Sequence, residues 1–168
     1  MRVLGIIAEY NPFHYGHLYH LMKSKELIQP DFVIAVQSGN FTQRGEAAIT
    51  DKWIRAEAAV HCGADLVLEL PVVYAVQTAE LFAYGAVQTL NHTGLTDYLS
   101  FGSEIDDLDQ LRAIAELFVP ENEIYRNSLK SFLQQGLSFP AARYQAVLHY
   151  LAPSSEESAG IIKSILSD

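Results

Sequence analysis

Apolar and polar positions along the chain follow two rhythms in alternation. Residues 2–8, "RVLGIIA", are an apolar run with no charge after Arg2, the pattern of a strand covered on both faces. Residues 15–28 carry Leu18, Leu21, Met22 and Leu27 at helical spacing and stop before Pro30. A second buried strand, "DFVIAVQ", ends in the loop "SGNFTQRGEAAIT". Asp51 then starts a helix through "KWIRAEAAVHC" that Gly63 closes. "DLVLEL" predicts a third strand, followed by Pro71 and an Ala-rich helix over about residues 75–91. Gly94 marks a turn, and "DYLSFG" predicts a fourth strand.

Beyond Gly102 the strands stop. Residues 106–118, 122–136 and 140–151 read as successive helices, with a further one over 154–168 opening on a serine cap. Strands alternating with helices, each strand a continuous apolar run, predict an α/β fold: a Rossmann-like parallel sheet with helices on both faces. It is expected to occupy residues 1–105 as a nucleotide-binding core, with 106–168 as a C-terminal helical segment. In such sheets ligands bind beyond the carboxyl ends of the strands. That gathers the loops 9–17, 38–50 and 102–104.

Composition narrows the function class. The 168 residues are 49% hydrophobic and 18% charged, which is globular rather than disordered. Twenty acidic against 11 basic residues give a net charge of -9, which argues against a broad nucleic-acid surface. The single Cys62 excludes an intrachain disulfide and a Cys-based zinc cluster, and reads as a small buried hydrophobe. The apolar start is interrupted by Glu9 and Asn11, too early for a signal peptide, and no run approaches the roughly 18 residues of a membrane span. The expected location is cytoplasmic.

The chemistry sits in "EYNPFHYGHLYHL", residues 9–21, directly after the first strand. A helix start offers unpaired backbone N–H groups and partial positive charge, a seat for phosphate. His14 and His17, three apart, can aim side-chain donors at the same place, and Gly16 removes a side chain where a flat base or ribose could approach the backbone. A bland surface pair is the alternative; zinc would need a third ligand that no spacing supplies.

"HYGH" after a first strand resembles the signature of nucleotidyltransferases and class I aminoacyl-tRNA synthetases. The longer pieces "GIIAEYNPFHYGHLYHL", "SGNFTQRGEAAITDKWIRAEAA", "GADLVLELP" and "FGSE" together resemble the bacterial tRNA(Met) cytidine acetate ligase family, over residues 1 to about 145. That resemblance implies that ATP and acetate form acetyl-adenylate. The acetyl group then passes to N4 of the wobble cytidine, C34, of elongator tRNA(Met), with Mg2+ arriving on the ATP phosphates. Family members usually have proline where this chain has Ala47. They are more than twice as long, with a nucleotide-contacting asparagine and arginine and a basic helical region beyond the matched part. A chain ending at Asp168 is therefore expected to be a truncated piece or a natural fragment. The rival readings are a small-metabolite adenylyl- or cytidylyltransferase and a nucleotide-binding fragment without catalysis.

Under the favoured reading His14 and His17 stabilise the charge on departing pyrophosphate, and Arg44 forks onto a phosphate or the substrate carboxylate. The nucleotide is expected against Ile7, Ala8, Glu9, Tyr10, Asn11, Pro12, Phe13, His14, Gly16, His17, His20 and Gly102. Several of these carry a competing reading. His20 extends the phosphate face or packs, and Tyr10 and Phe13 shape an acyl pocket or belong to the core. Gly5 lets adenosine approach or allows dense packing. Glu69 faces the site or is paired, and Glu104 meets the ribose or caps a helix. Lys52 and Arg55 read as solvent-facing; His61, His92 and His149 read as structural or exposed.

Overall fold

A computed structural model describes residues 1–103, 107–116, 118, 122–151, 160 and 162. The chain divides into two compact units, Met1–Gly102 and Ser103–Asp168. The first holds four strands, β1 (Val3–Ala8), β2 (Phe32–Ser38), β3 (Leu66–Leu70) and β4 (Tyr98–Ser100). They form one parallel sheet in the order β3-β2-β1-β4. The chain therefore winds outward from β1 in one direction and then returns to its other side, which makes the β1/β4 boundary the topological switch point.

Period-two alternation assigns each strand residue to a face. Val3, Ile34, Val36 and Leu70 pack with Ala86 and Leu90 of α4 (Ala79–His92) on one side. Leu4, Ile6 and Val33 pack with Leu21 of α1 (Tyr15–Ile28) on the other. On that second side Ala35 meets Ala59 of α2 (Lys52–His61). Each valine, leucine or isoleucine side chain so removed from water contributes about 1.5–3 kcal/mol. Helices on both faces of a parallel sheet are the architecture expected from the apolar runs.

Three aspartates brace the amino ends of the strands. Asp31, Asp65 and Asp97 each accept, through Oδ2, a main-chain N–H of the neighbouring strand end: Arg2 at 2.6 Å, Val33 at 2.8 Å and Val3 at 2.8 Å. At α2, Asp51 Oδ1 accepts from Trp53 N at 2.7 Å, the cap read from the sequence.

The helix expected over 75–91 is shorter and begins later. Pro71 opens a single turn, α3 (Val72–Ala75), and α4 starts only after Thr78, whose Oγ1 accepts from Leu81 N at 3.5 Å. Gly5 is explained by packing and not by nucleotide approach: a Cβ there would meet Leu90 Cδ1 at 2.7 Å. Cys62 packs beside the Leu4 cluster, as a small hydrophobe.

The second unit holds α5 (Leu108–Ala115), α6 (Glu123–Gln134) and α7 (Phe139–Leu151). Ile114, Tyr125, Ala146 and Val147 form its own core. Glu104 and nearly all of the expected helix 154–168 lie outside the described residues. Among the described residues no helix is long and apolar enough to cross a membrane.

Candidate active site

β1 runs out at Ala8, and residues 9–14 cross from the sheet to α1. Tyr10 takes a left-handed backbone, φ 49°, which is uncommon for a non-glycine residue. The turn drops its ring into the core among Ala35, Ala59 and Ala64, leaving it 2% exposed. Burial, with a smaller contribution from Cys62, pushes its phenol up to about 12. Tyr10 is thus a neutral floor and not part of an open acyl pocket. Its ring lies 4.9 Å from Phe13 and meets His17 edge-on at 5.0 Å.

His14 is the N-cap of α1. Its Nδ1 accepts from Gly16 N at 3.0 Å, and His17 Nδ1 accepts from His14 N at 3.3 Å. A ring nitrogen that accepts carries no proton, so each neutral ring bears its hydrogen on Nε2. The rings stack with centroids 3.7 Å apart and planes at 23°. A Cβ on Gly16 would sit 2.9 Å from His14 Cε1. Two expectations change here. The N–H groups of His14 and Gly16, read as free for phosphate, are held by imidazoles, and Gly16 makes room for the His14 ring. To the helix start the two side chains add a pair of Nε2–H donors.

Burial lowers the His17 pKa, and neighbouring His14 and then His20 lower it further. Burial also lowers that of His20. Both rings are neutral at pH 7. His20 lies one turn beyond His17 and reaches β4, its Nε2 2.9 Å from Ser100 Oγ. Ser100 Oγ is 2.7 Å from Ser24 Oγ, which donates to His20 O at 2.7 Å.

The second loop is a small hairpin. Phe41 faces Ala47, Thr42 N donates to Glu46 O at 2.9 Å, and Gly45 turns at φ 79°. The first loop grips it at two points: Glu9 Oε1 accepts from Gln43 N, and Asn11 Oδ1 accepts from Ile49 N at 2.7 Å. Gln43 Nε2 in turn donates to Gln77 O. Arg44 stands exposed at the hairpin tip with no hydrogen bond or ion pair among the described residues.

The residue that sequence reasoning missed is Arg55. It was read as solvent-facing and is 1% exposed. Its Nε donates to Thr50 O at 3.2 Å, and one terminal nitrogen donates to Glu9 O at 2.7 Å and Ser38 O at 3.2 Å. The other donates to Gly39 O. One guanidinium thus joins the end of β1, the end of β2 and the entry to α2. Its fork geometry lets it serve several carbonyls at once, which a lysine could not match. Lys52 is not free either: its Nζ pairs with Glu69 Oε2 at 2.5 Å. A Cβ on Gly39 would collide with that Glu69 carboxylate.

The remaining predicted positions are placed as follows. Ile7 is half-buried on the α4 side, and Ala8 and Phe13 are half-buried beside Tyr10. Pro12 is exposed, following a cis peptide from Asn11. Gly102 is exposed, with nothing within 4 Å of where a Cβ would stand. A cavity of about 270 Å³ lies at the ends of β2 and β3, lined by Gly39, Asn40, Phe41, Glu69, Val72 and Ala75, and includes no first-loop residue. His92 Nδ1 is bonded to Gln88 O at 2.7 Å, and in the second unit His149 Nδ1 is bonded to Ser128 Oγ at 3.1 Å.

Comparison with known proteins places the chain in a family. The chain is 57% identical over 147 residues to the tRNA(Met) cytidine acetate ligase of Thermoanaerobacter sp. (strain X514), covering 88% of this chain and 37% of that protein. It is 54% identical over 154 residues to the protein of that name from Acetivibrio thermocellus, covering 92% and 37%. The chain thus spans under half the length of the curated relatives it matches. The crystal structure of Thermotoga maritima TmcAL bound with alpha-thio ATP superposes with a TM-score of 0.84 at 45% identity, over 99% of this chain and 44% of that one. The family model described as HIGH Nucleotidyl Transferase matches residues 1–165. With the HYGH helix start, the parallel sheet and these likenesses together, the chain belongs to the HIGH Nucleotidyl Transferase family.

Proposed function

We propose that residues 1–168 carry the ATP-activating site of a tRNA(Met) cytidine acetate ligase. The observation that carries this is the His14–His17 pair, with each Nδ1 held by the backbone and each Nε2–H left for a ligand. In the proposed reaction an acetate oxygen attacks the α-phosphorus of ATP. The bond to the bridging oxygen breaks, pyrophosphate leaves, and acetyl-adenylate remains. His14 and His17 donate to phosphate oxygens as charge builds on the leaving group. Such preorganised donors act without reorganising during the step. N4 of the wobble cytidine of elongator tRNA(Met) then attacks the acetyl carbon, loses a proton, and releases AMP.

The names of the relatives and the alpha-thio ATP in the Thermotoga maritima protein support this reading. Among the described residues no group of three His, Cys, Asp or Glu side chains could hold a metal ion. Mg2+ enters the proposal on the ATP phosphates, keeping most of its water. Arg44, at the tip of a tethered hairpin, is the proposed clamp for phosphate or acetate. The cytoplasm, where tRNA and ATP meet, is the proposed location.

The test is acetate-dependent exchange of labelled pyrophosphate into ATP by the protein that contains this chain. Exchange that needs acetate, followed by acetyl transfer to elongator tRNA(Met), is the expected result. Exchange indifferent to acetate, with AMP or CMP delivered to a small metabolite, would transfer the site to the rival reading.

A further inference from the structure

The hydrogen-bond chain from His20 has a direction that its chemistry dictates. Ser24 has one hydroxyl proton, and the His20 carbonyl at 2.7 Å can only accept it. In the 2.7 Å contact between the two serines, Ser24 must therefore accept and Ser100 must donate. Ser100 has then used its own proton, so its 2.9 Å contact with His20 is donation from Nε2–H. Neutral His20 carries its hydrogen on Nε2 and a lone pair on Nδ1. That Nδ1 has no partner among the described residues. The His20 side chain is only part-buried.

This sets His20 apart from His14 and His17, whose Nε2–H groups are unclaimed. A neutral ring offering a lone pair repels a phosphate oxygen and welcomes a neutral donor. Position agrees with chemistry. His20 lies three residues deeper along α1 than His17, about 4.5 Å of helix. It is tied to Ser100, which pairs with Ile6 of β1 at the switch point. On the other side of β1 the space beyond β2 is taken by the 39–50 loop, held down through Glu9, Asn11 and Arg55. On the β4 side the chain continues to Gly102, where nothing lies within 4 Å of where a Cβ would stand. A ligand with its phosphates at the start of α1 therefore extends its nucleoside toward β4.

We infer that His20 is a specificity-determining residue: the Ser24–Ser100 relay fixes Nδ1 as an acceptor for a neutral hydrogen-bond donor of the bound nucleoside, a ribose hydroxyl or the exocyclic amino group. The inference rests on the proposed ATP site, and its test separates the two.

Nitrogen-15 NMR of the free chain reads the tautomer without any ligand. Protonated Nε2 with unprotonated Nδ1 is expected; the reverse would overturn the inference whatever the chain binds. Equilibrium dialysis then compares ATP with 2′-deoxy-ATP, 3′-deoxy-ATP and purine riboside triphosphate. One analogue should bind three- to tenfold more weakly than ATP, as one neutral hydrogen bond allows. His20→Gln keeps a donor near Nε2 but no acceptor near Nδ1, and should erase that one difference while binding the analogue like wild type. His20→Asn, with its amide oxygen near the Nδ1 position, should retain it. Wild-type binding of ATP with the same analogue penalties in His20→Gln would sink the inference and leave the ATP site standing. No ATP binding by wild type would remove both.

Discussion

The Arg55 guanidinium donates to the main-chain oxygen of Glu9 at 2.7 Å, although the two residues lie 46 positions apart. The same side chain also serves the carbonyls of Ser38, Gly39 and Thr50. Replacing it with methionine would leave these oxygens without that donor, and those of Ser38 and Gly39 are buried. Each buried unsatisfied group costs about 1–3 kcal/mol, so Arg55→Met should lose at least ~2 kcal/mol of stability. Arg55→Lys should lose less, because an ammonium keeps the charge but not the fork. Urea denaturation of the two variants measures this; wild-type stability in Arg55→Met would show that the carbonyls find other partners.

Alanine at His14 or His17 should slow adenylate formation about 100-fold each, as removal of a transition-state donor does. A control follows from the capping geometry. His14→Asp supplies an acceptor for Gly16 N but no donor, so it should keep the ~1 kcal/mol of the cap while losing activity. Pre-steady-state adenylate formation by the full-length protein, beside thermal melts, separates the two effects. A His17→Ala enzyme with normal turnover would end the assignment.

The lowered pKa values of His17 and His20 make stability depend on pH in one direction. Below about 6.5 the unfolded chain takes up protons that the folded rings refuse, so stability falls as the pH drops toward the folded values. Above 6.5 these two residues contribute no slope. His14→Ala should move the His17 titration upward, by only part of the shift, because burial is the larger cause. Proton NMR of the His17 ring reads it; an unmoved titration would mean that the stacked ring has no electrostatic hold on its neighbour.

Arg44 has no partner to lose, so Arg44→Lys should leave stability within ~0.5 kcal/mol of wild type. If the guanidinium forks onto phosphate or carboxylate, kcat/KM should nevertheless fall tenfold or more. Equal activity would make Arg44 a solvated hairpin charge.

Local patterns were enough for the strands, for α1 and α2, and for the placing of His14 and His17 at a helix start. Continuous apolar runs, the Asp51 cap and three-residue spacing act over one or two turns, so each is legible from the neighbours in sequence. The later start of α4 shows the margin: Ala-rich composition favours helix, but the Thr78 cap and Pro71 turn decide where it begins. Tertiary structure alone decided the rest. An arginine in the first turn of a helix reads as solvated, and becomes a buried clamp only because a parallel sheet brings the carboxyl ends of β1 and β2 beside the entry to α2. Gly5 owes its smallness to Leu90, 85 positions away. The proton on His20 is assigned by Ser100, 80 residues distant. Propensity and periodicity act between near neighbours. Hydrogen-bond direction and close approach depend on which distant segments the winding of the sheet brings together.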